Sequence, residues 1–302
     1  MFDNAYNNGM RNTIILASQS RGRKALLSLL KIPFEVIPST LDEDKIIGKT
    51  PLQTIKLRAK LKGEEVAKKV MSDELLVMGK QLPTTHNPQP ITIISADSGA
   101  ILDNQLIGKP KDYNDAVKIL TILSGRRHEF MTAVCLKHLT FNTQHSTNTK
   151  KTNRGEDLRE TVSSLDPDLI GTYPESRSSN RDGGTLAFED PLSRNQTSAV
   201  TKFITRSFVT FKKLTPDDIK TYLSMTKYTR YAGAYALFIC PKCPRPGLTD
   251  LLSTQKYHDL LSKTCKHTLI PNLIYKIEGS ISNVIGLPLE KLIPSLKPST
   301  NN

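Results

Sequence analysis

The chain has 302 residues, more than one domain usually needs, and only 37% are apolar, below the ~45–50% common in globular chains even when glycine is added, so part of its length is expected not to pack. A formal charge of +13 admits nucleic acid, an anionic surface or an anionic small substrate, but basic residues neither run in fives nor interleave with aromatics, which sets nucleic acid aside. No apolar run approaches the ~20 residues that span a bilayer, the first residues lack a signal peptide's apolar centre, and four cysteines make no disulfide framework, so a cytoplasmic protein with no membrane partner is expected.

The elements follow in chain order. Thr13–Ser18 is a short apolar run that reads as a buried strand, and Arg23–Lys31 has helical spacing at Leu26, Leu27, Leu29 and Leu30, giving strand, tight loop and helix. IPFEVIPS reads as a second strand and Pro51–Val70 as a basic amphipathic helix. ITIISADSGAIL reads as a strand with a break at Ala96–Ser98, and Tyr113–Leu123 as a helix stopped by Ser124-Gly125. A strand is expected over His128–Leu139, followed by a stretch rich in Ser, Thr, Asn, Asp and Gly.

That stretch, 142–199, has the composition of a disordered insertion, and from Thr143 to Lys202 it carries eight basic against nine acidic residues, so the basic excess belongs to the rest of the chain. Ser207–Phe211 resumes a strand. Thr215, Pro216 and Asp218 form a helix start with cap, first-position proline and capping-box acid, and LIPNLIYKIEG is the final strand-like run. A second insertion is expected at 239–268. It contains Cys240, Cys243, Cys265 and His267, four zinc-ligand types whose CxH pair departs from structural-zinc spacing, so zinc is not favoured.

Residues Ala17–Lys24, ASQSRGRK, form a strand-to-helix turn with two hydroxyls and two guanidinium groups beside the free N–H groups of a helix start, which suits an anion. Serines there are also ordinary helix caps, so the turn alone decides little. The ordered set ILASQS..RK.LL, ADS..ILD..LIGKPKD, LSGR.HE..TAV, AGAY and IEGS.SNV.GLPL is more specific. It resembles the Maf family of nucleotide pyrophosphatases, also called septum-formation inhibitors, over roughly Thr13–Leu292.

The resemblance implies a single α/β domain over 1–302, Maf/ITPase-like, with a mixed β-sheet flanked by helices, two lobes, a central cleft and the two insertions. It implies hydrolysis of a nucleoside triphosphate, natural or modified, to monophosphate and pyrophosphate, with a catalytically weakened nucleotide-binding protein as the alternative. Ser18, Ser20 and Arg23 would contact the triphosphate. Asp97 would accept the proton of the attacking water, and Lys109 would face the phosphates and offset charge on leaving pyrophosphate. Asp42, Glu43 and Asp97 would hold a divalent metal, magnesium or manganese, since hard carboxylate oxygens suit such ions.

Arg58 stands where the family has a lysine, with Lys56 or Lys60 able to share its duty, and Ser98 stands where one branch has threonine. Gly22 occupies a position that varies with substrate class, and Phe238 falls where a base-reading Gln or Glu stands. These two changes imply altered base recognition and weak discrimination between nucleotides. A homodimer is the candidate assembly.

Overall fold

The computed structural model of the protein describes residues 12–72, 90–141, 196–237 and 273–296. Strand β1 (Thr13–Leu16) buries Ile14, Ile15 and Leu16 and leads into helix α1 (Arg21–Ser28), which starts where Ser20 Oγ accepts the Arg23 N–H. The two-residue β2 (Glu35–Val36) pairs with β1. Helix α2 (Pro51–Met71) starts at the expected place: Thr50 caps the Gln53 N–H, and Pro51 takes a position that needs no N–H.

Strand β3 (Ile91–Leu102) turns into β4 (Gln105–Ile107), helix α3 (Tyr113–Leu123) has its expected bounds, and β5 (Arg127–Phe141) pairs with β6 (Gln196–Phe211). Helix α4 (Pro216–Met225) carries the full Thr215/Asp218 capping box. Strand β7 (Ile274–Gly279) and the short helices α5 (Ile281–Ile285) and α6 (Leu289–Ser295) complete the described chain. None of the helices among the described residues is long and apolar enough to cross a membrane.

Two expectations are corrected. The break foreseen at Ala96–Ser98 is absent: β3 runs on, with Asp97 opposite Ala133 and Ser98 opposite Thr132 on β5. Strand β6 starts at Gln196, so the last four residues assigned to the insertion 142–199 are strand, paired to β5 from Phe141↔Gln196 onward. Ser198–Lys202 are exposed, so this part of β6 lacks the apolar alternation by which a half-buried strand is recognised. Residues 142–195 and the second insertion at 239–268, with its Cys240, Cys243, Cys265 and His267, lie outside the described residues.

Among the described residues seven strands form one mixed sheet in the order β2-β1-β3-β5-β6-β7, with β4 on β3. The pairs β1/β2 and β1/β3 are parallel and the others antiparallel. Central β3 is buried along nearly its whole length because both faces are covered. Its Ile94, Ala96, Ala100 and Leu102 join the main core with Leu26 and Leu27 of α1, Leu120 and Leu123 of α3, and Leu223 of α4. The alternate residues meet α2: Ile91 and Ile93 pack with Val66, Ala67 and Val70, and Ile101 packs with Ile55 and Ala59.

The site lies where this sheet changes partners. One edge of β3 pairs with β1 as far as Leu16↔Ile94 and with β4 from Ala100↔Ile107. Ser95–Gly99 lie between those ladders, beyond the carboxyl end of β1, a place where open α/β sheets characteristically receive ligands.

Candidate active site

Neighbouring residues of a strand point to opposite faces, so Asp97 and Ser98 serve two clusters. On the α2 side, the Lys62 ammonium donates to Asp97 Oδ1 at 2.6 Å and pairs with Glu43 Oε1 at 2.7 Å. The other oxygen of Glu43 accepts from Lys109 Nζ at 2.9 Å. Lys62 and Asp97 are buried, with side chains 5% and 6% exposed, whereas Lys109 is half exposed. Burial alone would raise the Glu43 carboxyl, but Lys62 and Lys109 outweigh it and hold the pKa at about 2.

Local chemistry explains how these groups meet. Gly63 lets α2 lie close to β3: a Cβ there would sit 2.6 Å from Ser95 Oγ, and that hydroxyl donates to the Ala59 carbonyl of the same helix. Lys62, one residue earlier, is thereby held over Asp97. Lys109 sits in the loop after β4, which is buttressed by the Gly233 N–H donating to Gly108 O. Gly233 has a φ of 72°, a left-handed turn that glycine adopts without strain. That turn is fixed in turn by buried Tyr235, whose hydroxyl shares a 2.8 Å hydrogen bond with His128 Nε2.

On the α1 side, buried Arg23 is held at three points. Its Nε donates to Gly286 O at 2.9 Å, Nη1 to Ser18 Oγ at 3.1 Å and Nη2 to Ser98 Oγ at 3.0 Å. Ser98 and Thr132 share a hydrogen bond, and Thr132 in turn donates its hydroxyl to Asn283 O, so Ser98 must be the donor to Thr132. Ser98 therefore orients Arg23 while its own proton is committed to β5. Ser18 Oγ accepts from both Arg23 and the Ser20 N–H, which leaves the Ser18 O–H to meet an anion. Burial lowers the pKa of Arg23, an effect opposed by the charges of Asp97 and Glu43.

The remaining expected residues are placed as follows. Ser20 caps α1 beside Ser18. Asp42 stays outside the cluster: it caps the 3-10 turn Glu43–Lys45, pairs with Lys45 and is exposed, so of the two adjacent acids only Glu43 reaches the lysines. Arg58 donates its Nε to Ile46 O at 3.0 Å, and Lys60 pairs with Glu64 on the helix surface. The lysine that contacts the acids is Lys62, which sequence reasoning missed. Its signal is periodic: Ile55, Ala59, Lys62, Val66 and Val70 share the buried face of α2, where a lysine demands a buried partner.

Gly22 has a packing reason, since a Cβ there would lie 2.9 Å from the Ile285 carbonyl oxygen of α5. Phe238 lies outside the described residues.

The Glu43 and Asp97 carboxylates, gathered on one ammonium, fit a small hard dication of the magnesium class, which binds one or two carboxylates and takes its other ligands from substrate phosphates and water. Among the described residues no three His, Cys, Asp or Glu side chains converge into a closed metal cage.

The chain is similar to several known proteins. The chain is 37% identical over 131 residues to a dTTP/UTP pyrophosphatase of Ruminiclostridium cellulolyticum, covering 43% of this chain and 58% of that protein. It is 37% identical over 123 residues to a 7-methyl-GTP pyrophosphatase of Burkholderia orbicola, covering 41% and 51%. A dTTP/UTP pyrophosphatase of Syntrophomonas wolfei is 29% identical over 277 residues, covering 92% of each chain. The chain thus spans little more than half the length of the first relatives it matches. The family model described as Maf-like protein matches residues 13–194, well over half of the sequence, and the chain belongs to the Maf-like protein family.

Proposed function

We propose that the protein is a nucleoside triphosphate pyrophosphatase that releases monophosphate and pyrophosphate with the help of a divalent metal, acting in the cytoplasm. The observation that carries the reading is the Lys62 ammonium held between Asp97 and Glu43, with Lys109 on the far side of Glu43, next to the Ser18–Arg23 turn. Relatives named for pyrophosphate release from dTTP, UTP and 7-methyl-GTP support the same chemistry. The absence of a disulfide framework in the sequence fits a reducing compartment.

In this reading the Ser18 hydroxyl, the N-terminal turn of α1 and the two N–H groups of Arg23 left over from its three internal bonds bind the triphosphate oxygens. Asp97, fixed by Lys62, orients a water and takes its proton as the water oxygen bonds to the α-phosphorus. The bond from that phosphorus to the α–β bridging oxygen breaks, and pyrophosphate leaves with the electron pair. Lys62 and Lys109 stabilise the negative charge that develops on it. A magnesium ion held by Asp97 and Glu43 would supply Lewis-acid neutralisation of the phosphate oxygens.

The test is a panel of common and base-modified nucleoside triphosphates assayed with magnesium for pyrophosphate and monophosphate together. Equimolar release of both is expected. Release of inorganic phosphate instead, or of nothing from any triphosphate, would overturn the reading.

A further inference from the structure

Residues 39–48, which carry Glu43, run antiparallel along α2 and are pinned by one side chain per helical turn. Thr54 Oγ1 accepts the Gly48 N–H at 2.9 Å. One turn on, Arg58 Nε donates to Ile46 O at 3.0 Å. The next turn gives the Lys62–Glu43 pair. Glu65 then takes the Ser39 hydroxyl together with the Thr40 hydroxyl and N–H, and Lys69 binds both Glu65, at 2.6 Å, and the Thr40 hydroxyl. The helix positions 54, 58, 62, 65 and 69 rise in steps of three or four, a single stripe, while their partners fall from 48 to 39.

The dimensions agree. Fifteen steps of helix from Thr54 to Lys69 span about 22 Å at ~1.5 Å each. Nine steps of chain from Ser39 to Gly48 reach about 30 Å when fully extended, and the 3-10 turn Glu43–Lys45 takes up the excess at the point where Glu43 turns inward. Glu43 sits three residues from each flanking pin, Thr40 on one side and Ile46 on the other.

We infer that residues 39–48 are a strap clamped to α2, and that Glu65 and Arg58 are positioning residues that hold Glu43 against Lys62 and Lys109. The role in turnover rests on the pyrophosphatase reading; the clamp itself does not. Arg58, expected from the sequence to meet substrate, is on this account one of the clamp's two inner pins. Glu65 is suited to its place: burial would raise its carboxyl, but Lys69, Ser39 and Thr40 bring it to about 2, so it is an anion at every pH near neutral.

The test uses the full chain with Glu65→Ala and Glu65→Gln. Hydrogen exchange read by mass spectrometry and steady-state pyrophosphate release are followed together, with thermal melting as the check on folding. In Glu65→Ala the amides near Thr40 are expected to exchange at least about tenfold faster while the core strands keep their protection. The kcat should fall about tenfold with KM changed less than about threefold, because a displaced Glu43 disturbs the reacting arrangement more than the phosphate turn. Glu65→Gln, which keeps an acceptor for the Thr40 N–H, should recover most of each change.

Unchanged exchange at 39–48 would overturn the clamp. Faster exchange with kcat within about twofold of wild type would overturn the positioning role. Should the alanine variant not fold, the glutamine variant and Lys69→Ala carry the same readouts at milder effect. A wild-type protein that releases no pyrophosphate would sink the functional reading alone, since exchange reports the strap without turnover.

Discussion

Replacing Lys62 with methionine keeps the length of the side chain and removes a charge that two buried or half-buried carboxylates share. At 2.6–2.7 Å and an effective dielectric constant near 20, each contact amounts to roughly 6 kcal/mol of gross attraction. Most of that is offset by the cost of taking the ions out of water. The measurable quantity is the penalty of orphaning Asp97, whose side chain is only 6% exposed, and removing one partner of such a pair costs about 3–5 kcal/mol. Lys62→Met is therefore expected to lose about 3 kcal/mol of unfolding free energy at pH 7, measured by urea titration, and at least about a hundredfold in kcat/KM. The decisive comparison is a double-mutant cycle. In Lys62→Met/Asp97→Asn the orphaned carboxylate is gone, so the double variant should be more stable than the sum of the single losses predicts by about 2 kcal/mol. Additivity within about 0.5 kcal/mol would show that the two side chains do not depend on each other and would refute the reasoning.

Asp97→Asn alone should retain nucleotide affinity within a fewfold, by calorimetry with a non-hydrolysable triphosphate, while turnover falls below detection; an active variant would remove Asp97 from the mechanism. Glu43 is held near 2 in the folded state against an ordinary 4.5, so its stabilisation is present above pH 4.5 and is lost as pH falls towards 2. With the carboxylate 31% exposed, screening reduces this to about 1–2 kcal/mol, and Glu43→Gln should flatten that segment of the stability profile by the same amount. Because Phe141 and Gln196 face each other in an antiparallel ladder, replacing 142–195 with a short turn of about four residues should preserve the melting temperature of the sheet; a collapse of the fold would show that the excised stretch is structurally required.

Where the sequence carried a cap and a period, the elements were legible. Thr50-Pro51 starts α2 and Thr215-Pro216-Asp218 starts α4 as read, because these signals act through neighbouring backbone N–H groups. The polar ADS in β3 looked like a break because Asp and Ser are strand-averse when exposed. Here each finds a buried cation on its own face, Lys62 for Asp97 and Arg23 for Ser98, and no local rule foresees partners 35 and 75 residues away. Asp42 and Glu43 are indistinguishable by type, yet a single 3-10 turn sends one to solvent and the other to Lys62. The choice between Arg58 and Lys62 is legible in the sequence, because the buried stripe of α2 passes through Lys62; the family resemblance alone puts the cation one turn early, at Arg58.

The bond from Arg23 to the Gly286 carbonyl joins residues 263 positions apart, whereas Glu43, Lys62, Asp97 and Lys109 all lie within the first third or so of the chain. During synthesis at ~5–20 residues per second, the segments that carry Glu43, Lys62 and Asp97 are made while most of the chain is still unmade. The anion-holding half has to wait for the segment after β7 to emerge and lock Arg23. The Glu43–Lys62–Asp97 cluster is thus made long before the phosphate grip, which locks only when Gly286 reaches Arg23.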